Sequence, residues 1–417
     1  MVTVEEAAPC YAFAVSAQSH LRKATGTLLS AVDHQDKVFS RAFSILQQAI
    51  DQRAFPAASI AVTRNGQLIA LKSFGSFVCD THREGAPLLA AVAATGHLGS
   101  LSSAAMFDLA SLTKPIATAT MAAILYERGQ VELDAPIIGT LPEFRSAADQ
   151  RRDEVTFHML LSHASGLPAY EKLFLKARSR DELLHAALAT PLTADPGTHS
   201  EYSDIGFILL GLALERLSGE PLDVFCQREI FGPLGMSNTT FNPPGGIRSG
   251  IPPTADERVE ATPRLDAPVR STFRNRIIQG EVQDENASVL GGVAGHAGLF
   301  SNAHDLAIFA CAMLQGGTPI LRPETVALFT RRESTPEGTS RALGWDTPSA
   351  PSQSGKYFGP NSYGHLGYTG TSLWIDPERQ LSITLLTNRT WPDCSNQAIK
   401  QVRPKFHDAV VEAVVGE

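Results

Sequence analysis

The chain has 417 residues, 43% of them hydrophobic and 19% charged, with 33 glycines and 26 prolines. That composition excludes disorder, collagen-like repeats and coiled coil, and the length allows two to three domains. A net charge of −8 argues against a nucleic-acid binder, and no apolar run approaches the ~18 residues of a membrane-spanning helix.

The first 33 residues carry no clear pattern and read as an N-terminal appendage. Their start, with Glu5 and Glu6, is acidic where a secretory signal is basic, which favours the cytoplasm. The apolar stretch over 7–17 leaves a periplasmic location open. Cys10, Cys79, Cys226, Cys311 and Cys394 are scattered and form no Cys-x-x-Cys pair. They are expected as small buried hydrophobes, not as metal ligands or a disulfide framework.

Val38, Phe39, Phe43, Leu46 and Ile50 recur at helical spacing, predicting an amphipathic helix over 38–50. Apolar runs over 59–62 and 68–71 flank Asn65-Gly66, the sequence signal of a two-residue hairpin. Helices are expected over 115–128, 153–161, 181–189, 205–217 and 303–314. A second hairpin is predicted from 371–375 and 381–387 around Asp376-Pro377, and a terminal helix over 405–415. Pro252, Pro253, Pro263 and Pro268 mark a long irregular loop. Strands at both ends with helices between them predict an α+β fold, one antiparallel sheet built from both termini and flanked by helices. On that reading 34–110 and 300–417 form the sheet domain. The mostly helical 111–299 is inserted, with the active site in the cleft between.

Three segments carry the chemistry. In Ser111-Leu-Thr-Lys114 the lysine lies one turn from the serine at a helix start, and this is the only Ser-x-x-Lys in the chain. A serine hydroxyl needs a neighbour to take its proton, and a buried amine serves if its pKa falls well below 10. Tyr202 and Asp204 open a strongly apolar helical run, and Gly364-His365-Leu366-Gly367-Tyr368 leads into a strand. Glycines there permit close approach of a ligand, and an unpaired amide would serve an oxyanion. Among the other histidines, His163 is read as making a loop-stabilising hydrogen bond, and His296 as structural or cleft-lining. No His-Glu-x-x-His, Gly-x-Ser-x-Gly, phosphate loop or dinucleotide fingerprint occurs, so neither metal nor cofactor is expected.

In this order the three segments resemble the serine β-lactamase and penicillin-binding-protein superfamily, in particular its class C-like branch with the D-alanyl-D-alanine carboxypeptidases. Further likeness lies in Leu160 to Pro168, in Phe231 to Met236 and in the run from Asp284 through Ser301. The resemblance implies a β-lactamase/transpeptidase-like fold and an acyl-enzyme on Ser111, with Lys114 lowering the cost of the serine proton. It implies that Tyr202 shuttles protons, that the amides of Ser111 and Tyr368 hold the oxyanion, and that His365 and Gly367 line the substrate site. Expected substrates are an ester, an amide or a β-lactam, small or short-peptide in size. The alternatives are a D-amino-acid peptidase and a non-catalytic penicillin-binding-type sensor.

Two departures stand out. Asp204 replaces an asparagine, leaving an acceptor-only carboxylate that would anchor Lys114 or bind a substrate amine. His365-Leu366-Gly367 replaces Lys-Thr-Gly, with a histidine only partly charged at neutral pH, which argues against efficient β-lactam hydrolysis.

Overall fold

The computed structural model describes residues 28–77, 101–258, 273–392 and 394–416. Its main sheet has six strands: β1 (Leu29–Ser30), β2 (Ala57–Arg64), β3 (Gln67–Gly75), β4 (Tyr363–Leu366), β5 (Ser372–Asp376) and β6 (Leu381–Thr387). Their order is β1-β3-β2-β6-β5-β4, so the two ends of the chain meet where β2 pairs with β6, Ile60 opposite Leu385. Both predicted hairpins are present. Asn65 at φ 51° and Gly66 at φ 75° supply the positive angles of the first turn. In the second, Asp376 Oδ1 accepts the amides of Glu378 (3.0 Å) and Arg379 (3.1 Å). The sheet is antiparallel except at β1, which pairs with β3 in parallel. Part of the segment read as an appendage therefore extends the sheet edge.

Each face of the sheet is covered. Ile60, Val62, Trp374, Ile383 and Leu385 pack with Phe39, Phe43 and Leu46 of and beside α1 (Ser40–Asp51), and with Phe406 and Val410 of the C-terminal helix. Ala61, Leu373, Ile375 and Leu386 join the larger core with the helices of the middle of the chain. Three of these helices are α2 (Thr120–Glu127), α3 (Asp204–Ser218) and α4 (Ala303–Leu314), and α3 carries Asp204 at its head. Helix α3 is apolar nearly all round and accordingly buried, with Ser203 Oγ capping the Gly206 amide at 3.0 Å and Gly219 at φ 74° ending it.

Some boundaries differ from the sequence reading. The helix expected over 153–161 is a 3₁₀ turn, Gln150–Glu154, then a short helix, Phe157–Leu161, capped by Thr156. The terminal helix α5 (Ile399–Val415) begins six residues early and runs through Pro404. Proline has no amide for the Lys400 carbonyl, and Gln353 Nε2 donates to that oxygen instead, at 3.3 Å. Cys226 and Cys311 are buried and Cys394 is half-buried, all three as free thiols. Cys10, Cys79, Pro263 and Pro268 lie outside the described residues. No helix of the described residues is long and apolar enough to cross a membrane.

Helix α3 is held against the 295–298 loop by backbone contact. A Cβ on Gly295 would stand 2.1 Å from the Phe207 carbonyl oxygen and 3.0 Å from Gly211 Cα. Gly295→Ala therefore forces two backbones apart, and urea unfolding should show a loss of about 1–3 kcal/mol. An unchanged midpoint would mean the helix and the loop separate freely.

Candidate active site

Ser111 sits on a turn made by a conflict of local preferences. Ala110 holds φ 47°, a region non-glycine residues seldom enter, and opens a 3₁₀ turn, Ala110–Leu112, before a π-helical segment, Lys114–Ala119, runs into α2. Buried Asp108 fixes this turn. Its Oδ1 accepts the Ala110 amide at 2.8 Å and its Oδ2 accepts the Gln283 amide at 2.6 Å. Thr113 Oγ1 donates to the Ala110 carbonyl at 2.6 Å and accepts the Leu299 amide at 3.1 Å. The bend stored at Ala110 is thus overdetermined by its neighbours, the usual condition for backbone strain at a reactive residue.

Lys114 is completely buried, and its ammonium has three partners. Nζ donates to Ser111 Oγ (3.0 Å), Asp204 Oδ1 (2.6 Å) and the His296 carbonyl (3.1 Å). Its pKa does not fall, as the sequence reading required. Burial does push it down, but the Asp204 carboxylate and Tyr202 outweigh that and raise it above the ordinary lysine value. Lys114 rests as an ammonium. Asp204 anchors it from the first turn of α3, one of the two roles expected of that position.

Tyr202 lies over this junction, with Lys114 Nζ 4.7 Å from the ring centroid. Burial raises its pKa, against the pull of the nearby Lys114 charge, so the phenol is protonated. Its backbone is held by His163, whose Nδ1 accepts the Ser203 amide at 3.0 Å while its ring packs 4.6 Å from that of Tyr202. The loop-stabilising reading of His163 describes this contact. Burial holds His163 well below the usual histidine pKa, so it is a neutral acceptor.

The strand side is built on Gly367. A Cβ there would meet Thr371 Oγ1 at 2.0 Å and the Leu109 carbonyl at 2.4 Å, so only glycine lets the β4–β5 turn approach the serine turn. Thr369 and Thr371 clamp the two together by donating to the carbonyls of Asp108 (2.7 Å) and Leu109 (3.0 Å). Among the described residues the amides of Ser111 and Tyr368 have no backbone acceptor, while Arg389 Nε holds the Tyr368 carbonyl at 2.7 Å. His365 differs from expectation. Burial, with the Lys114 and Arg341 charges, pushes its pKa down to about 3, so it is uncharged at neutral pH. Its Nδ1 lies 2.8 Å from the Leu366 carbonyl.

Ser111, Tyr202, Asp204, His365, Gly367 and Tyr368 line one cleft of about 890 Å³, with Lys114 beneath. Sequence reasoning missed Asp108, Arg341 and Tyr170. Arg341 places its guanidinium carbon 5.2 Å from the Tyr202 ring centroid, on the side where the third motif lacks a lysine. His296 also lines the cleft, and its Nε2 pairs with Asp284 Oδ1 at 2.8 Å. No group of histidine, cysteine and acidic residues able to hold a metal occurs among the described residues.

A sequence model of the Beta-lactamase family matches residues 42–402. The chain is 34% identical over 357 residues to a Bacillus subtilis protein named N-acetylmuramyl-L-alanine amidase, covering 80% of this chain and 77% of that one. It is 31% identical to a Salmonella agona protein named putative D-alanyl-D-alanine carboxypeptidase, over 85% and 83% of the two chains. Its fold resembles that of EstCE1, described as a hydrolase with promiscuous acyltransferase activity, at a TM-score of 0.69 and 22% identity, covering 90% and 99% of the chains. It also resembles a class C β-lactamase from Rhodobacter sphaeroides, with TM-score 0.63, 20% identity, and 91% and 99% covered.

Asp108 gives a test of the serine turn. Burial raises its pKa from 3.8 to about 6, so between those values the native state binds more protons than the unfolded chain. Its contribution to stability therefore falls as pH climbs from about 4 to 6, by roughly 3 kcal/mol if the whole shift is realised. Asp108→Asn does not titrate. Urea unfolding across this range should show the wild type losing ground to the variant, and parallel pH profiles would refute the assignment.

Proposed function

We propose that this chain, which belongs to the Beta-lactamase family and is one of its serine hydrolases, cleaves the amide or ester bond of a bulky acyl substrate through an acyl-enzyme on Ser111. One observation carries this reading: Ser111 Oγ, the Lys114 ammonium and the Tyr202 phenol converge on the floor of a single cleft. Ser111 attacks the carbonyl, the amides of Ser111 and Tyr368 receive the oxyanion, and Tyr202 delivers a proton to the leaving group. Ser111 then lies at the seam between a sheet unit, 34–110 with 300–417, and a helical unit, 111–299.

The mouth of the cleft argues for the bulky acyl part. Tyr170, Leu175, Phe273 and Tyr368 are all exposed and all line it, making up half of the exposed large hydrophobics among the described residues. Clustered apolar exposure of this kind marks a binding surface, and tyrosine rings stack well on sugar or other ring faces. The similar Bacillus subtilis protein is named for an amide of an N-acetylmuramyl group and L-alanine, and that bond is the substrate class we carry to this chain. A non-catalytic sensor on this fold is expected to have lost a catalytic group, and Ser111, Lys114 and Tyr202 are all present.

A fluorophosphonate probe should add its mass to the wild type and none to Ser111→Ala, whose turnover should fall at least about a thousandfold. Labelling of the alanine variant would place the nucleophile elsewhere. β-Lactam turnover should be weak. The strand side offers neutral His365 and apolar Leu366 where a substrate carboxylate needs a charged donor, a loss equivalent to about 10- to 100-fold. The kcat/KM for nitrocefin should therefore lie below that for a short p-nitrophenyl ester, and the reverse order would refute this argument.

A further inference from the structure

Three hydrogen bonds leave Lys114 Nζ, and an ammonium has three protons and no lone pair. In this resting arrangement the lysine has nothing with which to take the Ser111 proton. The other titratable groups around it are no better placed. His163 Nδ1 is occupied by the Ser203 amide. His365 Nε2 has no hydrogen-bond partner among the described residues, but burial and the Lys114 and Arg341 charges hold its pKa at about 3, too low to keep a proton. Asp284 Oδ1 is taken by His296 and the Ala287 amide, and Asp284 makes no hydrogen bond to Nζ. Tyr202 and Tyr170 are protonated phenols, and Arg341 has no acceptor atom. Asp204 alone among them faces Nζ with a carboxylate oxygen, at 2.6 Å.

We propose that Asp204 is the proton acceptor of this site and that Lys114 relays the Ser111 proton to it. This rests on the acyl-enzyme reading above. Moving one proton from Nζ to Asp204 Oδ1 converts the ion pair into an amine and a carboxylic acid with no net change of charge. A buried pair favours that neutral form as water is excluded, so a substrate that fills the cleft also arms the base. The amine lone pair then takes the proton from Ser111 Oγ as the Oγ–C bond forms and the carbonyl π pair moves onto oxygen. The oxyanion collapses, the C–N or C–O bond breaks, and the leaving group takes the Lys114 proton through Tyr202. Lys114 is again an amine and Asp204 still an acid, so the same pair accepts a proton from the deacylating water. The C–Oγ bond then breaks, Lys114 returns its proton to Ser111 Oγ, and Asp204 returns its own to Nζ, so release of the product acid leaves Ser111–OH and the ion pair.

Asparagine at 204 keeps a hydrogen-bond acceptor for Nζ but cannot take a proton. Wild-type kcat/KM for a p-nitrophenyl ester should hold level through neutral pH, since the relay needs no proton lost to solvent. In Asp204→Asn the lysine must first lose a proton to water, so kcat/KM should fall about tenfold per unit as pH drops, with the acid limb at least about one unit above wild type. An Asn variant with the wild-type limb reduces Asp204 to an anchor and overturns the proposal. The wild type supplies a second reading should the variant not fold. Turnover in H₂O–D₂O mixtures should curve downward as two transferring protons require, and a linear dependence overturns the relay. Turnover surviving in Ser111→Ala would instead overturn the acyl-enzyme reading and the relay with it, whereas its loss beside coincident Asp204 profiles overturns the relay alone.

Discussion

A buried ammonium with three acceptors is the constraint around which the rest of this molecule is arranged. An unpaired charge at the position of Lys114 would be untenable, since desolvation alone costs several kcal/mol. Its acceptors come from three places in the chain: Ser111 one turn away, Asp204 at the head of α3, and the His296 carbonyl in the glycine-rich loop. Each must be delivered to within hydrogen-bond distance, and each delivery has a visible cause. The Ala110 bend turns the serine back over the lysine, the Ser203 cap sets where α3 starts, and Gly295 lets the loop touch that helix.

The same logic explains which features were legible in the sequence. The hairpins were, because Asn65-Gly66 and Asp376-Pro377 settle their turns through local backbone preference. Helices α1, α3 and α4 were, because their apolar periodicity or continuity is long. The terminal helix was cut short because Pro404 signals a break locally, whereas the compensating donor, Gln353, lies 51 residues upstream. The strained Ala110 carries no sequence mark, since alanine does not advertise a positive φ.

For the site, residue identity was readable and charge state was not. Ser111, Lys114 and Tyr202 announce themselves by spacing and order, but the state of Lys114 depends on a carboxylate 90 residues away. Sequence reasoning weighed burial, which favours a free amine, and the fold adds Asp204, which reverses the outcome. His365 went the opposite way. Read as partly charged, it is buried beside Lys114 and Arg341 and loses its charge altogether.

These two reversals are linked. A site with a neutralised lysine and a cationic third motif has its positive charge at the strand, facing the substrate. Here Asp204 keeps the charge on Lys114 beneath the serine, and that cation in turn disfavours a second one at His365. Arg341 and Arg389 also line the cleft: Arg341, from the loop before β4, stands over the Tyr202 ring, and Arg389 stands over the Tyr368 ring and holds its carbonyl. Exchanging one amide for one carboxylate at 204 therefore changes more than a single contact. It fixes where the protons rest on Lys114, and it adds the Lys114 charge to the burial that keeps His365 neutral. Exposed tyrosine and phenylalanine rings line the same cleft, so shape and stacking join charge as the means of recognising an acyl group above Ser111.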